Sequence, residues 1–332
     1  MKSNHFSYFR VKNFKRFKDL EVKDIDQFNL VLGDNNVGKT SLLEALMVGN
    51  NPYHFVDKLA KNYYAKKHNR GGLFAIIDFY MNKGADENFI TLISCSLETD
   101  KEDIYNLRLS PTENHLEILP SESGNIIELA YNTQVGDLPH IKSNLINAFE
   151  TDLIAIEELY ALKIQRDRSL RSKLVDGLGK LVDSISGLDI TVVGNVPSFL
   201  VETYNSNYLV SLSAYGSGTQ KCFEILVKTV HFSSNRLMID EIDAGIHYSR
   251  MKDYWKVILQ SAQENNVQIF ATTHNRECIE SYKSALMELG EDFQHKSRTI
   301  TLKESPKDKS IKAYTNQYEV LEDALAVGND LR

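Results

Sequence analysis

The sequence predicts an α/β fold: a mixed sheet forms the core, and a mainly β lobe and a helical insertion are added to it. Two stretches of alternating strand and helix at opposite ends of the chain carry this expectation, together with an intervening region whose periodicity changes from two to about 3.6. The divisions expected are one composite domain over 1–332, with 1–50 and 205–332 as the core, 73–135 as the β lobe and 139–200 as the helical insertion.

The opening, FSYFRVKNF then LEVKDI, alternates apolar and polar residues and reads as an antiparallel strand pair leading into a buried strand over Phe28–Leu32. A glycine-containing turn follows, and then Leu42, Leu43, Leu46 and Met47 recur at helical spacing over 40–48. Short strand-like runs come next at 73–80, 89–97, 105–109, 115–119 and 126–131, separated by Gly, Asn, Asp and Pro. From residue 139 to 185 the spacing changes: Ile141, Leu145, Ile146 and Phe149, then 153–162 and 174–181, repeat every three or four residues. The α/β pattern returns with strands at 237–239 and 267–272 around a helix at 250–264, and the tail over 298–332 reads as two short strands and a helix.

The chain has 332 residues, 42% of them hydrophobic and 25% charged, which suits a globular protein with a sizeable core. It contains no run of about 18 apolar residues and no apolar stretch near the N-terminus, so a cytoplasmic protein without a membrane segment of its own is expected. Cys95, Cys222 and Cys278 are far apart and odd in number, which points to buried thiols rather than a disulfide framework. The net charge of −7 carries no global signature of nucleic-acid binding. Two local runs are basic: Lys2, Arg10, Lys12, Lys15, Arg16, Lys18 and Lys23 against Asp19 and Glu21, and Lys163, Arg166, Arg168, Arg171 and Lys173 against Asp167. A solvated face is the simpler reading of each.

Four pieces carry chemistry. Gly33-Asp34-Asn35-Asn36-Val37-Gly38-Lys39-Thr40 fits G-x-x-x-x-G-K-[ST] and lies between a buried strand and a helix, where successive backbone N–H groups can hold phosphate oxygens. Gly33, Asn35, Asn36, Val37, Gly38, Lys39, Thr40 and Ser41 are the binding candidates, with Lys39 reaching the β and γ phosphates and the Thr40 hydroxyl reaching Mg²⁺. An apolar strand ends in Asp240 and Glu241, an arrangement in which the first acid holds Mg²⁺ and the second polarises the attacking water. The strand over 267–272 runs on to His274, and a crossover between the two strands puts their ends side by side. Ser217-Gly218-Thr219-Gln220 opens an apolar helix and offers hydroxyl and N–H donors to an anion.

Together these pieces resemble the nucleotide-binding head of ABC-type ATPases. Gly33 to Thr40 matches Walker A; Ser217, Gly218 and Gln220 match the signature; Asp240 and Glu241 match Walker B with its glutamate; and His274 matches the switch histidine. The opening VKNFKRFKDLEVKDIDQFNLVLGDNNVGKTSLLEAL and the stretch MIDEIDAGIHYS look like the SMC/RecF/OLD branch rather than transporter subunits. Thr219 departs from the pattern, standing where the signature usually has its second glycine. The resemblance implies ATP and Mg²⁺ as ligands, Glu241 and His274 as catalytic residues, and Thr40 and Asp240 as metal ligands. It further implies a homodimer in which the signature of one copy completes the site of the other. Chains of this kind without a TOPRIM nuclease domain resemble ATPase subunits of bacterial anti-phage systems, which implies a separately encoded effector, a TOPRIM-like nuclease among the candidates. The alternative is a RecF-like protein that binds DNA under ATP control, with Arg166, Arg168 and Arg171 as the contacts.

Overall fold

The computed structural model describes residues 3–48, 59, 79–81, 89–96, 102–110, 115–120, 127–130, 144–148, 153–182, 185–193, 196–329 and 331–332. In chain order the strands are β1 (Phe6–Phe14), β2 (Phe17–Val22), β3 (Phe28–Leu32), β4 (Phe89–Ser96), β5 (Glu102–Ser110), β6 (His115–Pro120), β7 (Ile127–Ala130), β8 (Leu145–Ile146), β9 (Ile185–Val193), β10 (Val196–Thr203), β11 (Val210–Ser211), β12 (Arg236–Ile239), β13 (Gln268–Thr272), β14 (Ser297–Glu304) and β15 (Ile311–Asn316). The helices are α1 (Lys39–Ala45), α2 (Leu153–Lys163), α3 (Arg168–Gly179), α4 (Ser217–His231), α5 (Tyr248–Glu264), α6 (Arg276–Leu289), α7 (Glu291–His295) and α8 (Tyr318–Ala326).

A six-stranded sheet in the order β15-β14-β3-β13-β12-β8 forms the core; β14, β3, β13, β12 and β8 run parallel and only β15 is antiparallel. All five residues of β3 and of β13 are buried, as apolar strands covered on both faces must be. Because side chains alternate along a strand, the sheet divides two apolar clusters. Phe28, Leu30, Leu32, Leu237, Ile239, Ile269 and Ala271 enter the cluster beneath α4, α5 and α6, where Trp255 and Tyr282 pack with ring centroids 4.7 Å apart. Val31, Met238 and Phe270 enter the other, which holds Leu42 and Leu43 of α1 and the inward residues Phe9, Val11, Phe17 and Leu20 of β1 and β2.

β1 and β2 pair antiparallel, Phe9 opposite Val22, and open a second sheet in the order β2-β1-β4-β5-β6-β7, all antiparallel. The buried Arg236 joins this layer to the core: its guanidinium lies 3.6 Å from the Phe6 ring centroid and donates to the carbonyls of Asn4, Leu46 and Val48. That clamp fixes the far end of α1, and hence the helix that carries the phosphate loop.

The helical insertion expected over 139–200 needs correcting. Leu145 and Ile146 form β8, the edge strand of the core sheet, with Met238 N–H donating to Asn144 O and Asp240 N–H to Ile146 O, each at 2.9 Å. Two apolar residues buried on both sides look alike as helix or strand, so neighbours decide. α2 and α3 follow as expected, but 185–203 is an antiparallel hairpin, β9 with β10, extended by β11 into a three-stranded sheet. The signal was present: the β-branched run Ile190-Thr191-Val192-Val193 leads into Gly194-Asn195, and the apolar run Phe199-Leu200-Val201 follows. The run expected as a strand at 73–80 lies mostly outside the described residues, and its described end, Phe79 and Tyr80, is helical.

Several residues of the basic runs have internal partners. Arg10 pairs with Asp19 at 2.6 Å, Arg16 with Glu304 at 2.8 Å, Lys15 with the buried Glu44, and Lys173 with Glu264 at 2.8 Å. Lys163 donates to the carbonyls of Val230 and His231 at the end of α4, where a cation suits the helix terminus. Cys222 and Cys278 are buried free thiols, with burial pushing Cys278 up to about 12, while Cys95 is only partly buried. Among the described residues no helix is long and apolar enough to cross a membrane.

Candidate active site

β3, β13 and β12 are parallel neighbours, so the loops leaving their carboxyl ends share one edge of the sheet, where ligands of open α/β sheets bind. From β3 comes the phosphate loop. Val37 anchors it in the core while Asn35 and Asn36 stay exposed, and Asn36 takes the left-handed backbone (φ 64°) that asparagine tolerates. Gly38 is required for two reasons: its φ is 107°, and a Cβ there would lie 2.8 Å from the Phe17 ring. Arg16 donates to the Asn36 carbonyl from the β1–β2 turn. The Lys39 ammonium curls over the loop, donating to Gly33 O at 2.7 Å and Asp34 O at 3.0 Å. Burial lowers its pKa, with Asp240, Glu241 and Asp34 pulling the other way and Arg332 adding to the lowering. Thr40 and Ser41 follow, half-buried in the first turn of α1.

From β12 comes the acid pair. Thr40 Oγ1 donates to the Asp240 carboxylate, 3.2 Å from Oδ1 and 3.0 Å from Oδ2. Thr272 Oγ1, at the end of β13, donates to Asp240 Oδ1 at 2.7 Å and accepts from the Glu241 N–H at 2.8 Å. Glu241 sits in the left-handed region at φ 43°, a conformation that costs a non-glycine residue about 1–3 kcal/mol and persists only where the surroundings hold it. Its carboxylate lies 3.9 Å from Nδ1 of His274, which is exposed just past β13. Thr40, Asp240, Glu241 and His274, which the sequence spreads over more than two hundred positions, therefore meet in one place.

Lys221 holds the Glu241 turn from beneath. Its ammonium, almost fully buried near the start of α4, donates to the carbonyls of Asp240 at 2.7 Å, Glu241 at 2.6 Å and Ala148 at 3.3 Å. Burial pushes it down to about 8, against the pull of Asp240, Glu224, Asp243 and Glu241. Thr273 fixes the next acid, donating to Asp243 Oδ1 at 2.7 Å.

The signature residues stand at the start of α4. Ser217 is exposed, Gly218 buried and Gln220 half-buried. Among the described residues no hydrogen bond joins Ser217, Gly218 or Gln220 to the phosphate loop; Lys221 makes the link between α4 and the acid pair. The Thr219 hydroxyl turns back to Tyr215 O at 3.1 Å, which keeps this departure from the signature pattern inside its own helix start. Gly218 abuts Gly245, where a Cβ would lie 2.4 Å from the Gly245 carbonyl oxygen and 2.5 Å from Ile246 Cδ1. Gly218→Ala is thus expected to lower stability by about 1–3 kcal/mol, the usual cost of overpacking, as measured by urea unfolding. An unchanged midpoint would show that α4 yields more easily than this contact implies.

Residues 6–121 match the AAA ATPase domain family. A relative from Helicobacter pylori (strain ATCC 700392 / 26695), an ATP/GTP phosphatase, is 23% identical over 350 aligned residues, covering 89% of this chain and 91% of the relative. The SMC head bound to the C-terminal winged-helix domain of ScpA superposes with a TM-score of 0.61 at 13% identity, over 95% of this chain and 99% of that one. The chain is an ATPase with the fold of an SMC head domain. Two further heads share the fold of the ATPase: one with an extended coiled coil, bound to the C-terminal domain of ScpA derived from Pyrococcus furiosus (TM-score 0.57, 11% identity, 97% and 99% covered), and one from Thermotoga maritima (0.51, 10%, 96% and 100%).

Sequence reasoning about the ATPase missed Thr272 and Lys221. Thr272 carried no signal beyond ending a buried strand. Lys221 carried one: a lysine beside Cys222 and Phe223 at the start of an apolar helix requires acceptors if buried.

Proposed function

We propose that the ATPase binds ATP with Mg²⁺ between two copies of itself, hydrolyses it, and uses the resulting change of pairing as a switch for a separate effector. The observation that carries this reading is the convergence of Thr40, Asp240 and Glu241 beside the Lys39 loop. The donor set fits the metal: Thr40 and Asp240 offer only oxygens, which a small hard cation prefers. Thr40 and Asp240 are the residues that would hold Mg²⁺, which when bound offsets charge on the phosphate oxygens.

Lys39 and the loop N–H groups hold the β and γ phosphates. Glu241, aimed by Thr272 and Lys221, takes the proton of the attacking water, with His274 standing 3.9 Å from the carboxylate. Ser217, exposed at the start of α4, donates to the nucleotide of the second copy. A two-fold dimer of this kind contains two equal composite sites. The ScpA complexes, in which another protein sits on an SMC head, support a head whose nucleotide state is read by a partner. A TOPRIM-like nuclease in bacterial anti-phage defence is the effector this reading favours. The net charge of −7 weighs against a RecF-like DNA clamp.

Complementation tests the composite site. Lys39→Ala is expected to lose ATP binding and Ser217→Arg to lose turnover while still binding ATP. An equimolar mixture then regains about a quarter of wild-type activity, since half the dimers are mixed and each holds one intact site. A mixture as inactive as its components would contradict a site shared between copies.

A further inference from the structure

The end of the sequence returns to the site. Leu331 packs against the core cluster that contains Tyr282, Tyr318 and Leu321, with its backbone left-handed at φ 62° and its N–H donating to Asn329 Oδ1 at 3.0 Å. Its carbonyl accepts from Thr301 Oγ1 at 2.8 Å, and Thr301 on β14 is the register partner of Leu32, the residue before the phosphate loop. On the other side Arg332 Nη1 donates to the carbonyl of His274 at 2.7 Å, just past β13. Residues 331–332 therefore connect the two strands that flank β3, across the root of the phosphate loop. The Arg332 charge is also among those that act on the Lys39 ammonium.

We propose that Arg332 is a nucleotide-binding residue for the terminal phosphate of ATP, acting in the same copy as Lys39. The bond to His274 O orients a planar guanidinium whose fork suits phosphate oxygens. Its place, against the backbone of His274 and within electrostatic reach of Lys39, is at the γ-phosphate end of the loop. The three groups form a cationic and hydrogen-bonding rim around the phosphate that hydrolysis removes. A residue so placed distinguishes triphosphate from diphosphate.

The inference rests on the ATPase reading, and titration of fluorescent ATP and ADP analogues with Mg²⁺ into the full chain separates the two. Arg332→Ala is expected to weaken the triphosphate about 10- to 100-fold, the range for one charged hydrogen bond, while the diphosphate shifts less than about twofold. Arg332→Lys recovers part of the loss. Equal loss of both nucleotides, or loss of neither, would overturn the assignment while wild-type binding and its abolition in Lys39→Ala left the ATPase reading standing. A wild-type chain that bound neither nucleotide would overturn the reading and the assignment together.

Discussion

Replacing Glu241 with glutamine is expected to leave ATP binding intact while lowering turnover about 10²- to 10⁴-fold, the range for removal of a general base. Glutamine keeps the shape of the side chain and leaves the backbone bonds of the turn, Glu241 N–H to Thr272 and Glu241 O to Lys221, in place. Only the basicity toward water is lost, so the effect falls on the chemical step. Single-turnover phosphate release separates this from a folding defect, because a variant that binds ATP normally must be folded. Wild-type turnover in Glu241→Gln would remove the residue from the mechanism and shift attention to His274.

The second large effect belongs to Lys221 and is read through pH. Burial lowers this ammonium from 10.5 to about 8, so the folded chain releases its proton before the unfolded chain does. Between pH 8 and 10.5 the unfolded state binds more protons, and the Lys221 contribution to stability therefore rises with pH across that window. Below pH 8 the cost of burying the charge is felt in full, and the whole shift is worth about 3 kcal/mol. Buried Cys222, Cys278, Tyr254 and Tyr282, whose pKa values are raised, contribute with the opposite sign, so the quantity to measure is a difference. Urea unfolding of wild type and Lys221→Met from pH 7 to 10 is expected to give a gap that changes by up to about 3 kcal/mol. A constant gap would mean that Lys221 does not titrate there. Because Lys221→Met also frees the carbonyls of Asp240 and Glu241, turnover is expected to fall together with the lost geometry of the Glu241 turn.

The phosphate loop was legible because its spacing, and the apolar strand and helix on either side, all agree, and β3 and α1 lie where that agreement puts them. Asp240 and Glu241 were legible for a similar reason: a buried strand ending in two acids has few bland explanations once a phosphate loop precedes it. The side-by-side ends of β12 and β13 followed from topology alone. What stayed hidden depends on tertiary contact. Leu145 and Ile146 are apolar in either conformation, and only pairing with Met238 and Ile239 makes them a strand. Thr272 has a role because Asp240 lies across a parallel ladder from it, and Lys221 because a turn of left-handed backbone presents carbonyls to it. Arg332 is remote in sequence from every motif, and only the bond to His274 reveals its place.

The sandwich of ATP between two copies is tested most directly by the molar mass of the Glu241→Gln protein in solution, measured by light scattering with ATP and Mg²⁺, with ADP and Mg²⁺, and without nucleotide. The account predicts twice the 37.8 kDa of one chain with ATP and the single-chain mass in the other two conditions. The same mass in all three, with ATP shown to be bound, would contradict it.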